Sequence, residues 1–177
     1  MQVIGLDACP ALTRLDLSRN ALTSLEGATA AQRLKHLTAA GNRVDSLVPL
    51  RELPSLEVLN LAHNALEGKV NVGRLPALKA LILNDNKVTL VGGLEKCASL
   101  NTLVLSHNAV ESLGGWLAGG AGLVKLSLSH NAIAELGGAL KCEWRRRAWR
   151  HPGGPAARRP AVACGDFKDS FTGKFQP

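Results

Sequence analysis

A chain of 177 residues holds enough material for one domain with a sizeable core. Because 46% of it is hydrophobic but only 3% aromatic, that core must be built from Leu, Val, Ile and Ala, which suits regularly repeated slots better than an irregular globule. The formal net charge of +7 raises the question of nucleic-acid binding, but residues 1–140 carry 12 Lys/Arg and 11 Asp/Glu, whereas residues 141–177 carry 9 and 3. The basic character therefore belongs to the C-terminal segment.

Four cysteines, Cys9, Cys97, Cys142 and Cys164, are too few and too scattered for a disulfide framework, and no CxxC pair occurs. There is no long apolar run, no secretory signal pattern and no N-x-S/T acceptor. These features predict a reducing compartment, cytoplasmic or nuclear, and no membrane association.

In chain order, Val3, Leu6, Cys9 and Leu12 come first, every three residues. This spacing reads as the back half of a coil, residues 1–11, whose strand is missing. No polar cap closes it, so the chain is expected to start mid-coil. Cys9 and Cys97 fall in the same slot four coils apart and are expected to be small buried hydrophobes, too distant to bridge.

Six segments then align: LTRLDLSRNAL from Leu12, LKHLTAAGNRV from Leu34, LEVLNLAHNAL from Leu56, LKALILNDNKV from Leu78, LNTLVLSHNAV from Leu100 and LVKLSLSHNAI from Leu123. Asn20, Asn42, Asn64, Asn86, Asn108 and Asn131 recur at 22-residue intervals, the last being 23. In L-x-L the side chains alternate, so Leu15 and Leu17, like Leu103 and Leu105, point inward from a short strand. Parallel strands of successive coils are expected to pair into one sheet lining the inner curve. An asparagine amide carries donors and an acceptor, so a stack of them can satisfy turn backbone groups of neighbouring coils.

The outer half of each coil repeats too. Leu47, Leu50, Leu53 and Leu56 recur every three residues, as do Val91, Leu94, Cys97 and Leu100, a spacing that predicts 3-10 or short helical turns. Trp116 falls in this stretch of the 23-residue coil and reads as core. The residues before the asparagines, Arg19, Gly41, His63, Asp85, His107 and His130, stand about 5 Å apart on adjacent coils. His107 with His130, or His63 with Asp85, could thus share a metal, but exposed turns commonly carry such residues without a ligand, and no metal or other cofactor is expected.

Beyond Leu140 there is no further leucine, and residues 141–177 form a basic Arg/Pro/Gly tail expected to be disordered. Three readings stay open. The tail could contact RNA or direct nuclear import through Arg145–Arg147 and Arg158–Arg159. It could dock a helix bearing Phe167, Phe171 and Phe175, although Gly173 weakens that helix. Or it could be a splice or gene-end product foreign to the repeats.

The 22-residue period with L-x-x-L-x-L-x-x-N resembles the leucine-rich-repeat class typified by the protein phosphatase 1 regulatory subunit. The spliceosomal A-prime protein and several ciliary dynein-associated proteins belong to that class. More narrowly, LKALILNDNKV, LNTLVLSHNAV and LVKLSLSHNAI look like a plant and algal leucine-rich-repeat group. The resemblance covers residues 1–140 and implies an α/β leucine-rich-repeat solenoid, with a parallel concave sheet and short 3-10 or helical convex segments. Its coils start at 12, 34, 56, 78, 100 and 123 after the partial coil. The phosphatase-binding relatives use concave aromatic and acidic side chains. The matching positions here are Arg14/Asp16, His36/Thr38, Val58/Asn60, Ala80/Ile82, Thr102/Val104 and Lys125/Ser127. They offer no aromatic and one acid, so no phosphatase-regulator role carries over.

Polar and charged residues occupy both ends of that concave series. Val58, Asn60, Ala80, Ile82, Thr102 and Val104 are the expected partner-binding residues, their apolar members forming a centre inside a polar rim, the composition of an interface core. No nucleophile elbow, P-loop, dinucleotide-binding glycine pattern or HExxH occurs, and the acids are scattered singly. The sequence therefore predicts a protein-interaction scaffold with an unidentified protein partner, not an enzyme and without a small-molecule substrate. The alternative is an RNA- or ribonucleoprotein-associated factor acting through the tail.

Overall fold

A computed structural model of the chain describes residue 3 and residues 5–73, 75–112 and 122–134. Trp116, Cys142, Cys164 and the expected tail at 141–177 lie outside the described residues.

Each coil contributes a three-residue strand centred on the leucine that opens its L-x-L or L-x-A motif: β1 (Arg14–Asp16), β2 (His36–Thr38), β3 (Val58–Asn60), β5 (Ala80–Ile82), β7 (Thr102–Val104) and β8 (Lys125–Ser127). They pair in parallel in the order β1-β2-β3-β5-β7-β8. The register advances by one whole coil at each step, as in Leu37↔Leu59 and Leu59↔Leu81. Alternation sends the central leucine of each triplet inward, and Leu37, Leu59, Leu81 and Leu103 are wholly buried. Burying such a side chain contributes about 1.5–3 kcal/mol. Ala39, which stands where the other coils have leucine, is also wholly buried.

The asparagines tie each coil to the next. The Asn86 amide donates to Leu61 O of the preceding coil (3.0 Å) and to Leu83 O of its own (3.0 Å), while its Oδ1 accepts the N–H of Leu66 (3.0 Å). Asn42, Asn64, Asn108 and Asn131 repeat this pattern. Amide donors and acceptor are thus spent on backbone groups that the turn would otherwise leave unpaired inside the protein. In the 23-residue coil the Asn131 bonds keep their lengths, 2.9 Å from Val110 N and 2.8 Å to Leu105 O. In the sequence the additional residue falls between Val110 and Leu123.

The outer arcs are 3-10 turns where small or aliphatic apolar residues recur every third position: η1 (Leu6–Ala8), η2 (Glu26–Ala30), η3 (Val48–Glu52) and η4 (Leu94–Lys96). The helical part of the expected α/β class consists, among the described residues, of these turns alone. Two arcs depart from the 3-10 expectation. Strands β4 (Glu67–Asn71) and β6 (Lys87–Gly92) pair in parallel as a second, two-stranded sheet, the register skipping Thr89. The local sequences explain it. Val70 and Val72 alternate with polar residues, and Val88-Thr89 brings two β-branched side chains together, both of which favour extended backbone.

Cys97 follows η4 and is buried, with its Sγ set 3.7 Å from Gly93 O, and burial pushes its thiol pKa up. Cys9 follows η1 in the equivalent slot but is exposed. The expectation that both are buried is corrected for Cys9, because no coil among the described residues packs on the outer side of η1. Both thiols are free.

Candidate partner-binding face

The strand residues that flank each inward leucine all face the inner curve, in two rows read from the register. One row runs Arg14, His36, Val58, Ala80, Thr102, Lys125, and the other Asp16, Thr38, Asn60, Ile82, Val104, Ser127. Neighbours in a row stand about 4.8 Å apart. All six expected binding residues, Val58, Asn60, Ala80, Ile82, Thr102 and Val104, therefore lie together on β3, β5 and β7. Each is half-buried, shielded by its row neighbours. The patch is a low apolar floor rather than a protruding ridge. Among the described residues the large apolar side chains that do protrude are Val48, 56% exposed on η3, and Val124, 62% exposed beside Lys125.

Polar members of the rows are partly committed. Asn60 Oδ1 accepts the N–H of Ala62 (3.1 Å), as Asp16 accepts the N–H (2.9 Å) and hydroxyl (2.6 Å) of Ser18. The Ser18 hydroxyl and then its N–H hold the Asp16 carboxyl below its ordinary pKa. Ser106 and Ser127 share a hydrogen bond between their hydroxyls (2.7 Å).

A column just before the strands was not singled out from sequence. Lys35, Glu57 and Lys79 stand one coil apart, with Glu57 3.6 Å from Lys35 Nζ and 2.6 Å from Lys79 Nζ. The hydrogen bond from Lys79 is the main cause of the lowered Glu57 pKa. The signal was available, since opposite charges recur at 22-residue spacing. Val124 continues the same column and was missed with it.

On the other side of the face stands the column that precedes the asparagines. Arg19, His63, Asp85, His107 and His130 adopt left-handed backbone with φ between 54° and 57°, and Gly41 has φ 68°. The turn after each strand requires this conformation, and the glycine in the column was its sequence signature. His63 Nε2 lies 3.5 Å from Asp85 Oδ2, which also accepts from the Asn84 amide. The His107 and His130 rings stack face to face, 4.0 Å between centroids and 9° between planes. In such a stack the in-plane nitrogen lone pairs run parallel rather than converging on one ion. Among the described residues no three His, Cys, Asp or Glu are grouped to hold a metal. None of their helices is long and apolar enough to cross a membrane.

A family model described as Leucine Rich repeat matches residues 8–29 and 52–69. No curated protein sequence matches the chain. Among solved structures, it is similar to internalin C2 from Listeria monocytogenes at 22% identity and a TM-score of 0.65, over 76% of this chain and 59% of that one. A leucine-rich-repeat protein of Leptospira interrogans aligns at 26% identity and a TM-score of 0.56, over 77% and 42% of the two chains. The leucine-rich repeat domain of APL1B aligns at 29% and 0.63, over 71% and 36%. The chain thus spans less than two thirds of each of these proteins.

Proposed function

We propose that the chain, whose repeats and fold are those of leucine-rich-repeat proteins, generally non-enzymatic scaffolds for protein–protein interaction, binds a protein partner on the concave face of β3, β5 and β7. The observation that carries this is the register Val58↔Ala80↔Thr102 beside Asn60↔Ile82↔Val104, which gathers Val58, Ile82 and Val104 into one apolar floor. Charged and polar residues of β1, β2 and β8 bound it. A partner that covers the floor removes apolar area from water, while the polar rim sets orientation.

The double variant Ile82→Asp/Val104→Asp tests this directly. Both side chains point away from the core, so the variant should keep the parent circular dichroism spectrum. Affinity capture of the intact gene product followed by mass spectrometry should lose the partners that the parent retains. An unchanged partner set from a folded double variant would overturn the reading.

A further inference from the structure

The charges around the floor are unequally spent. The carboxylates bordering it are each engaged within the protein: Glu57 is ion-paired with Lys79 and Lys35, Asp85 faces His63 and accepts from Asn84, and Asp16, which keeps its charge, is hydrogen-bonded by Ser18. The cations are not. Arg14 and Lys125, both exposed at opposite ends of one row, and Arg19 beside β1 have no ion pair among the described residues. His36 stands between Arg14 and Val58 in that same row. The face therefore presents an apolar centre with an unpaired cation at each end, and Asp16, the one acid in the two rows, is turned to Ser18 rather than to Arg14.

We infer that the concave face receives an acidic protein segment, an apolar stretch bounded by carboxylates that reach Arg14 at one end and Lys125 at the other. The inference rests on the concave-face reading and names the chemistry of its partner. Arg14 and Lys125 are five strand steps apart, about 24 Å. An extended segment lying across the strands, at about 3.3 Å per residue, covers that distance in about seven residues. Carboxylates so spaced would meet both cations while the side chains between them rest on Val58, Ile82 and Val104. Charge complementarity of this kind steers encounter and fixes register. A nucleic acid fits the same surface poorly. Its phosphates would cross Ile82 and Val104 with no cation beneath them, and the two rows offer no Phe, Tyr or Trp for bases to stack on.

A random 12-residue peptide library displayed on phage, selected on the full chain, tests the inference. Excess Ile82→Asp/Val104→Asp protein in the selection removes peptides that adhere to the basic segment 141–177. Enriched peptides should carry carboxylates about seven residues apart around apolar residues. Resynthesised with a fluorophore, they should bind about ten-fold more weakly to Arg14→Glu/Lys125→Glu, as expected when two rim contacts of about 0.7 kcal/mol each are lost. Replacing the peptide carboxylates by lysine should restore binding to that variant. Peptides that need Ile82 and Val104 but are neutral or basic, and indifferent to Arg14→Glu/Lys125→Glu, would overturn the acidic inference and leave the concave-face reading standing. A library with no peptide dependent on Ile82 and Val104 would overturn both. A mixed-sequence 20-nucleotide single-stranded DNA that displaces the peptides and fails to bind Arg14→Glu/Lys125→Glu would assign the cations to nucleic acid instead.

Discussion

The inner sheet and the outer arcs obey different rules. Six strands of the inner sheet have the same length, the same direction and a register that never slips. The arcs that join them are 3-10 turns in some coils, a strand of a second sheet in the coil of β3, and a strand followed by a 3-10 turn in the coil of β5. The difference is one of constraint. An inner residue is held from both sides by backbone pairing and by an asparagine that bonds two coils at once. An arc residue need only bury an apolar side chain every two or three positions, so local sequence decides its backbone. Uniformity on the inside is what allows side chains 22 residues apart to line up as one surface.

The comparison can be broken most severely at an asparagine. Asn86→Ala leaves Leu66 N–H without its acceptor and removes donors from Leu61 O and Leu83 O, a cost of about 3 kcal/mol for buried polar groups. Urea unfolding followed by circular dichroism measures the loss, and hydrogen exchange should quicken in both coils that the amide joins. A loss confined to one coil would contradict the two-coil tie.

An arc variant should cost less and stay local. Gly93 has φ 86°, and a Cβ there would stand 2.8 Å from Asn71 Oδ1 and 3.1 Å from Gly73 N. Gly93→Ala should therefore cost about 1–2 kcal/mol for left-handed backbone. Its faster exchange should be confined to the contact between β4 and η4. Faster exchange in β5 or β7 would show that the arcs and the sheet are not separable.

The smallest effect lies in the charged column beside the sheet. Lys79, with Lys35, holds the Glu57 carboxyl below the ordinary glutamate range. A depressed pKa means that the contribution is present above that range and lost as pH falls through the depressed value. Glu57→Gln should be slightly less stable than the parent at neutral pH, and the two melting temperatures should converge in acid. A gap that widened on acidification would reverse the sign assigned to this group.

Much of the inner sheet was legible because its constraints are sequence-periodic. Leu15, Leu37 and Leu59 announce an inward column, Asn42 and Asn64 announce the tie, and the residues flanking each leucine must then face the concave side. The two-stranded outer sheet was not legible from the same template. A search for leucine every third residue passes over Val70-x-Val72, whose alternation signals extended backbone. The left-handed column invites reading as a metal ladder, set aside in the sequence, because His63, His107 and His130 draw attention to their side chains. Gly41 in the same column showed that the position is chosen for its backbone. Among candidate site residues, sequence alone could list Val58, Ile82 and Val104. It could not show which neighbouring charges are already paired, since that depends on side-chain reach between coils.

The 23-residue coil has one more consequence. The inner face behaves as a ruler of constant pitch, because the Asn131 bonds close at the usual lengths despite the additional residue. The additional residue between Val110 and Leu123 leaves the register of Ile82, Val104 and Ser127 undisturbed. A further residue inserted between Val110 and Leu123 should for the same reason leave the ruler its scale.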